Sequence, residues 1–424
     1  MRYTQQVVAE LVTIGDELLA GHIVNSNGQF LARALRSVGV VTQWMTTVGD
    51  DPDRIEEALR QALGRARVVV ITGGLGPTPD DVTRGVVAKL LAVPLVVDEG
   101  ALAAMRARFA ARGLTMCKNN ERQAQIPQGA TILRNPWGTA PGFMFSWEGC
   151  QAFVLPGVPA EMRPMVEQEL LPRLRQLAAG WSVLERVLRT TGIPESTLAE
   201  RLAQMSVTQG VAVAYQAGSN GVDVRLTAQG PNREACQRAL EEATTEVRQR
   251  AGEFVYGVDS CRLEEAVGTL LRNAGKTIAV AESCTGGLVA HRLTNVSGSS
   301  GYFERGVVTY SNRAKQELLG VPEELLARHG AVSPEVAVAM AEGIRRLANT
   351  DLGLSTTGIA GPTGGTPTKP VGLVYIGFSD RRGSVYKRCL FAFDRLTNKE
   401  RAATAALDMV RRHMAGLPVV NEAI

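Results

Sequence analysis

No C-x-x-C pair occurs in this 424-residue chain. Its six cysteines, Cys117, Cys150, Cys236, Cys261, Cys284 and Cys389, are scattered. That spacing excludes a zinc ribbon and a disulfide framework, and it points to a reducing cytoplasm. No run approaches the roughly 18 apolar residues of a membrane span, and the opening MRYTQQVVAELVTIGDELLAG has no basic segment ahead of an apolar core. The expectation is a cytoplasmic protein with no membrane partner. Aromatic residues are only 5% of the chain, and Lys and Arg nowhere form a concentrated run. Nothing therefore reads as a nucleic-acid groove, and nucleic acid is not an expected partner. With a net charge of only +4, acidic small molecules are the better-fitting ligands.

What is present is globular: 45% hydrophobic and 21% charged residues, in a chain long enough for two or three domains with their own cores. The most informative stretch is KTIAVAESCTGGL, residues 276–288. Its apolar alternation predicts a buried strand, and Ser283-Cys284-Thr285-Gly286-Gly287 is a turn that opens a helix. Ser283 thus falls at a strand-to-helix corner. Unpaired backbone N–H groups and the positive helix end at such a corner suit an oxyanion or a phosphate, so Ser283 reads either as a nucleophile or as a cap. A base follows in VVTYSNRAK, residues 307–315. A strand ends at Tyr310, Ser311 or Asn312 caps the next helix, and Lys315 reaches back toward the Tyr310 hydroxyl from the first turns. A desolvated lysine sheds its proton near neutral pH and activates a hydroxyl; the alternative is a solvated lysine. Cys284 carries no nearby mark of a thiolate and reads as a small buried residue.

Toward the N-terminus, strands at 7–14, 40–48 and 68–72 alternate with helices at about 25–38 and 53–63, which predicts a doubly wound α/β domain with a parallel sheet. Ligands of such sheets sit at the carboxyl ends of the strands, where GDE (15–17) and TGGLGPTPDDVT (72–83) fall. Gly73, Gly74 and Gly76 allow close backbone approach to a phosphate. Asp80 and Asp81 would repel it unless a hard divalent cation such as Mg²⁺ lay between, or else one of them caps a helix beginning near Val82. A helix over 161–179, interrupted at Pro172, leads to a small module at 173–257. That module has strands at 183–191, 211–216 and 222–228, helices at 196–203 and 232–251, and a hairpin turn at 218–221. It resembles a KH-like αββα unit without a G-x-x-G clamp joining two helices, so it reads as a spacer or dimer element. From 258 onward come a helix at 261–274, a helix at 337–348, a strand at 351–357 ending in a Gly-rich loop, antiparallel strands at 371–378 and 384–393, and a helix at 398–414.

Two sets of motifs carry a resemblance. AESCTGG, GYFERGVVTYSNRAK, AVS and STTGIAGPTGG are similar in order and spacing to the nicotinamide-nucleotide amidase domain of the competence/damage-inducible CinA family. GDELLAGHIVNSN, GGLGPTPDDVT, GTAPGF and LPGVPAEM resemble the molybdopterin-binding-like domain of the same family. The resemblance implies an N-terminal pyrophosphatase domain at 1–172, the KH-like module at 173–257 and an amidase domain at 258–424. It implies Ser283 as nucleophile with Tyr310 and Lys315 as activating partners, and Thr285, Gly286, Thr357, Gly358 and Arg395 at the substrate nicotinamide mononucleotide. In the first domain it implies Asp16, Glu17, Asp80 and Asp81 as metal or catalytic carboxylates, with Glu161 behind them, and Asn25, Gly74 and Thr83 lining ADP-ribose. A divalent metal is expected there and no cofactor in the amidase domain. Two functions follow: a two-headed pyridine-nucleotide salvage enzyme, or a nucleotide- or pterin-binding sensor or scaffold tied to competence and repair. The apolar strands of the middle module, Val211, Val213 and Tyr215 facing Val222, Val224 and Leu226, predict a homodimer.

Overall fold

The computed structural model describes residues 7–178, 181–205, 210–218 and 220–419; Ala179 of the expected helix and Ser219 of the expected hairpin turn lie outside them. The chain divides into two compact units, Met1–Leu184 with Ala228–Arg238, and Glu185–Thr227 with Ala239–Ile424.

The first unit is built on a six-stranded sheet in the order Val40–Val48, Val7–Ile14, Val68–Thr72, Cys150–Leu155, Gly142–Trp147, Thr131–Leu133. Val68–Thr72 (VVVIT) is buried at every position, as a strand covered on both faces requires. One face packs on Leu31, Leu35, Met165 and Leu174, the other on Ile55, Leu59, Val87 and Phe143. The helix Pro52–Arg65 begins where it does because Asp51 accepts the Asp53 and Arg54 N–H groups and Pro52 fills the first turn. The strands expected from the sequence, Val7–Ile14, Val40–Val48 and Val68–Thr72, pair in parallel, but the sheet is not parallel throughout. Gly142–Trp147 runs antiparallel to Cys150–Leu155, because Glu148 and Gly149 both take positive φ, 46° and 87°, the geometry of a two-residue hairpin turn. Nor does Pro172 end its helix: a π turn at Val166–Leu170 precedes it, and helix continues over Leu171–Leu177.

The middle strands form a four-stranded sheet ordered Val211–Gly218, Gly221–Gly230, Ser182–Thr190, Val255–Val258. The last of these strands was not expected. Val222, Val224 and Leu226 are buried within this chain.

In the second unit a five-stranded sheet runs Phe303–Val308, Ile278–Glu282, Leu352–Gly358, Leu373–Ser379, Ser384–Leu390. Its first three strands are parallel and the last two antiparallel. Leu263–Asn273, Leu288–Thr294 and Arg395–Met414 cover one face; Asn312–Leu319, Glu323–His329 and Pro334–Ala348 cover the other. The closing helix starts at Arg395 rather than at 398, because the Asp394 carboxylate accepts the Leu396 and Thr397 N–H groups. No helix among the described residues is long and apolar enough to cross a membrane.

Candidate active site

Ile278–Glu282 is buried along its length and delivers Ser283 to the corner, where the Ser283 N–H donates to the Thr356 carbonyl at 2.9 Å. Gly286 and Gly287, at φ 64° and 96°, reverse the chain in a conformation that other residues rarely adopt. The seven-residue helix Leu288–Thr294 follows. Its N–H groups are not free, as the sequence had led us to expect. The buried Glu282 carboxylate accepts from Gly287, Val289 and Ala290 at 3.0, 3.1 and 2.8 Å, so a side chain of the protein already holds the positive helix end. Among the described residues the N–H groups of Cys284 and Thr285 at the corner donate to no backbone carbonyl.

Opposite stands Lys315, on a helix capped by Ser311, whose hydroxyl accepts the Ala314 N–H. Its side chain is 1% exposed, and its Nζ lies 3.2 Å from Ser283 Oγ, 2.8 Å from the Thr309 carbonyl and 3.4 Å from the Tyr310 carbonyl. Burial lowers its pKa from the usual lysine value, because the charged form loses its water shell and gains only carbonyl dipoles in exchange. With burial disfavouring its charged form, an amine held by two carbonyls beside a hydroxyl is placed to act as a general base. Contrary to the expectation from the sequence, Lys315 does not reach the Tyr310 hydroxyl; it meets the Tyr310 backbone carbonyl. The phenol is 61% exposed and accepts from Arg395 at 3.1 Å, while Arg395 also donates to the Gly361 carbonyl at 2.7 Å.

The remaining expected ligand residues divide. Thr285 is fully buried and its hydroxyl pairs with that of Thr356 at 2.6 Å. Thr357 donates to the Ala331 carbonyl at 2.7 Å. Gly358 pairs with Val374 inside the sheet. These three brace the floor of the site. Gly286 lies close to a residue the sequence did not single out: a Cβ there would stand 3.5 Å from Lys399 Nζ. Lys399 follows Arg395 by one helical turn, so two cations flank the corner. Burial pushes the Cys284 thiol up to about 12, which keeps it a neutral, unreactive group at neutral pH.

The N-terminal carboxylates gather around a residue that no motif marked. Asp16 N–H donates to Asp50 Oδ2 at 3.0 Å and Asp50 N–H to Asp16 Oδ1 at 3.2 Å, tying the loops after two adjacent strands. Partial burial raises the Asp50 pKa, and the nearby charges of Asp16, Glu17 and Asp80 add to the rise. Asp81 faces elsewhere. It accepts the Gly76 and Thr78 N–H groups at 2.6 and 2.9 Å together with the Thr78 hydroxyl. Neither aspartate caps the next helix, which starts from Val82 without a side-chain cap. Thr83 is fully buried and donates to the Gly73 carbonyl, and a Cβ on Gly74 would collide with its hydroxyl. Arg84, lowered to about 10 by burial, ties down the Leu75 and Gly76 carbonyls at 2.6 and 2.8 Å. Asn25 caps the helix Ser26–Arg36 and donates to Thr13 at 2.9 Å. Glu161 accepts from Asn135 at 2.7 Å. Hard oxygen donors without histidine suit Mg²⁺, yet among the described residues no three such groups converge to hold an ion. The donor set therefore suits an ion carried mostly by water and a ligand's phosphates rather than a preformed cage.

Comparison with known proteins covers the chain. The CinA C-terminal domain matches residues 260–414, a damage-inducible protein CinA KH domain residues 185–257, and a probable molybdopterin binding domain residues 10–176. The CinA-like protein of Kosmotoga olearia is 43% identical over 413 residues, spanning 97% of this chain and 100% of its own length. That of Chloroherpeton thalassium is 43% identical over 415 residues, 96% and 99% of the two chains. The crystal structure of the competence/damage inducible protein CihA from Agrobacterium tumefaciens is 39% identical, covers 35% of this chain and 91% of that one, and has a TM-score of 0.34. With near-complete matches at this identity, and with a molybdopterin-binding-like domain, a KH-like module and a CinA C-terminal domain in order, the chain belongs to the CinA family.

Proposed function

We propose that the C-terminal domain hydrolyses the carboxamide of nicotinamide mononucleotide to nicotinate mononucleotide and ammonia. The observation that supports this most is the 3.2 Å approach of the buried Lys315 amine to Ser283 Oγ. Lys315 takes the hydroxyl proton as Oγ attacks the carboxamide carbon, and the N–H groups of Cys284 and Thr285 are the donors for the oxyanion. Lys315 then returns the proton to the departing ammonia. Water, deprotonated by the same amine, cleaves the acyl-enzyme and leaves the carboxylate. Arg395 and Lys399 fit the substrate phosphate. Ammonia release from nicotinamide mononucleotide, followed with purified protein, tests the reading.

The N-terminal domain we assign to hydrolysis of the ADP-ribose pyrophosphate. A divalent ion bound there would offset the crowded carboxylates and the phosphate charge. Asp16 and Asp80 would touch it, water and the substrate's phosphates would supply most of its oxygens, and Asp50 would hold the Asp16 loop in place, while Asp81, Thr83 and Arg84 keep the glycine loop in shape. EDTA and Asp50→Asn should each lower ADP-ribose hydrolysis at least tenfold and leave ammonia release unchanged; equal loss of both reactions would contradict the division.

For a homodimer we propose the C-terminal module, one of the two that the sequence offers, since Val222, Val224 and Leu226 of the middle module are covered within this chain. Val308, Tyr310, Phe393 and Leu396 of the C-terminal domain are all at least 49% exposed, an apolar patch that a second copy would bury. Light scattering at micromolar protein should give twice the 45.3 kDa of one chain; a single-chain mass unchanged on concentration would exclude the dimer.

A further inference from the structure

A second cavity in the same unit shares no lining residue with the Ser283 corner. It measures about 360 Å³ and is walled by Ile193, Phe391, Phe393, Lys387, Arg401 and Asp408 among others. Thr404 on the closing helix donates to the Asn220 side chain at 3.0 Å, which joins the two walls. Among the described residues neither cation at this cavity has a carboxylate partner. Lys387 is only 6% exposed and among the described residues has no carboxylate within ion-pair reach. Arg401 has its Nε buried without an acceptor, and its guanidinium lies 4.2 Å from the Phe393 ring centroid. The carboxylate at the cavity, Asp408, is already engaged by Arg411 at 2.7 Å. An orphan guanidinium N–H beside an apolar wall is costly unless an acceptor completes it, and Lys387 adds a second positive charge at the same cavity. The phenylalanines offer that anion a flat apolar face and, through the Arg401 stack, a cation–π partner.

We propose that this cavity binds a small anion with a planar aromatic body, of the class of a nucleoside monophosphate. The phosphate meets Lys387 and Arg401, and the ring lies against Phe391 and Phe393. The volume sits near the lower end of the roughly 300–1,000 Å³ of ligand sites, which suits one nucleotide and not two.

The test uses 8-azido-AMP as a photoaffinity probe on the full chain carrying Ser283→Ala, with tryptic mapping of the label. Label is expected on residues 389–395, competed by excess AMP and not by adenosine. Lys387→Met should cut labelling of that peptide at least tenfold, and Arg401→Leu should do the same if the lysine variant folds poorly. Because Lys387 forms no ion pair among the described residues, Lys387→Met should leave the melting temperature without ligand within a few degrees of the parent. Absence of label from 389–395, equal labelling of both variants and the parent, or equal competition by adenosine would overturn the proposal.

Discussion

Ser283→Ala is expected to lower kcat for ammonia release from nicotinamide mononucleotide by at least about a thousandfold, the scale on which removing a nucleophile acts. ADP-ribose hydrolysis and the melting temperature should stay where they are. The hydroxyl has one side-chain partner, Lys315, and a methyl group in its place leaves the Ser283 N–H bond to Thr356 intact. Cys284→Ala is the control for the neighbouring position. With its thiol pushed up to about 12, the cysteine holds no useful thiolate, so its loss should change the rate less than threefold. Retention of a tenth of the wild-type rate by Ser283→Ala, or a dead Cys284→Ala, would remove Ser283 as the nucleophile.

Lys315→Met should lower the same rate about as far while making the protein more stable at neutral pH. The lysine's folded pKa lies below the ordinary 10.5, so between the two values the unfolded chain binds more protons and stability climbs with pH. Below the lowered value the burial penalty is fully present. Methionine fills the space without the charge, so its unfolding free energy should lose that climb and its melting temperature should rise by a few degrees at pH 7. Lys315→Arg keeps the cation but cannot release its proton, and should not restore turnover. The wild-type rate should grow with pH up to the lowered Lys315 value and then level off. A rate indifferent to pH, or an active arginine variant, would show that position 315 supplies charge and not a base.

Much of this architecture could be read from the amino-acid order. Strands such as VVVIT and IAVAE are apolar on both faces and short, and the helix after Ser311 begins where that cap residue predicts, whereas the Asp51 and Asp394 caps start their helices earlier than the expected 53 and 398. Ser283 and Lys315 lie 32 positions apart, yet Ser283 directly follows the strand Ile278–Glu282 and Lys315 sits in the first turn of the helix that follows the strand Phe303–Val308, and those two strands are parallel neighbours. That adjacency is what βαβ topology delivers. Less legible were groups that act through space with no local signature. Glu282 reads as the polar end of a strand, and only the fold turns its carboxylate onto three N–H groups. Asp50 is one acidic residue in VGDDPDR until the sheet places its loop against Asp16. Lys399 is anonymous on a helix surface until Gly286 approaches it. The reversal at Glu148-Gly149 was missed because glutamate rarely takes positive φ.

Of the 46 basic residues only seven are lysines, and Lys315 and Lys387 are the two buried ones. Amine-directed labelling of the native protein should therefore mark five positions quickly and these two slowly, each at the rate at which its surroundings open. Acetylation of Lys315 followed by mass spectrometry becomes a clock for breathing of the catalytic corner, and Lys387 an independent clock for the second cavity. With so few lysines to resolve, the two motions can be timed side by side in one unmodified sample.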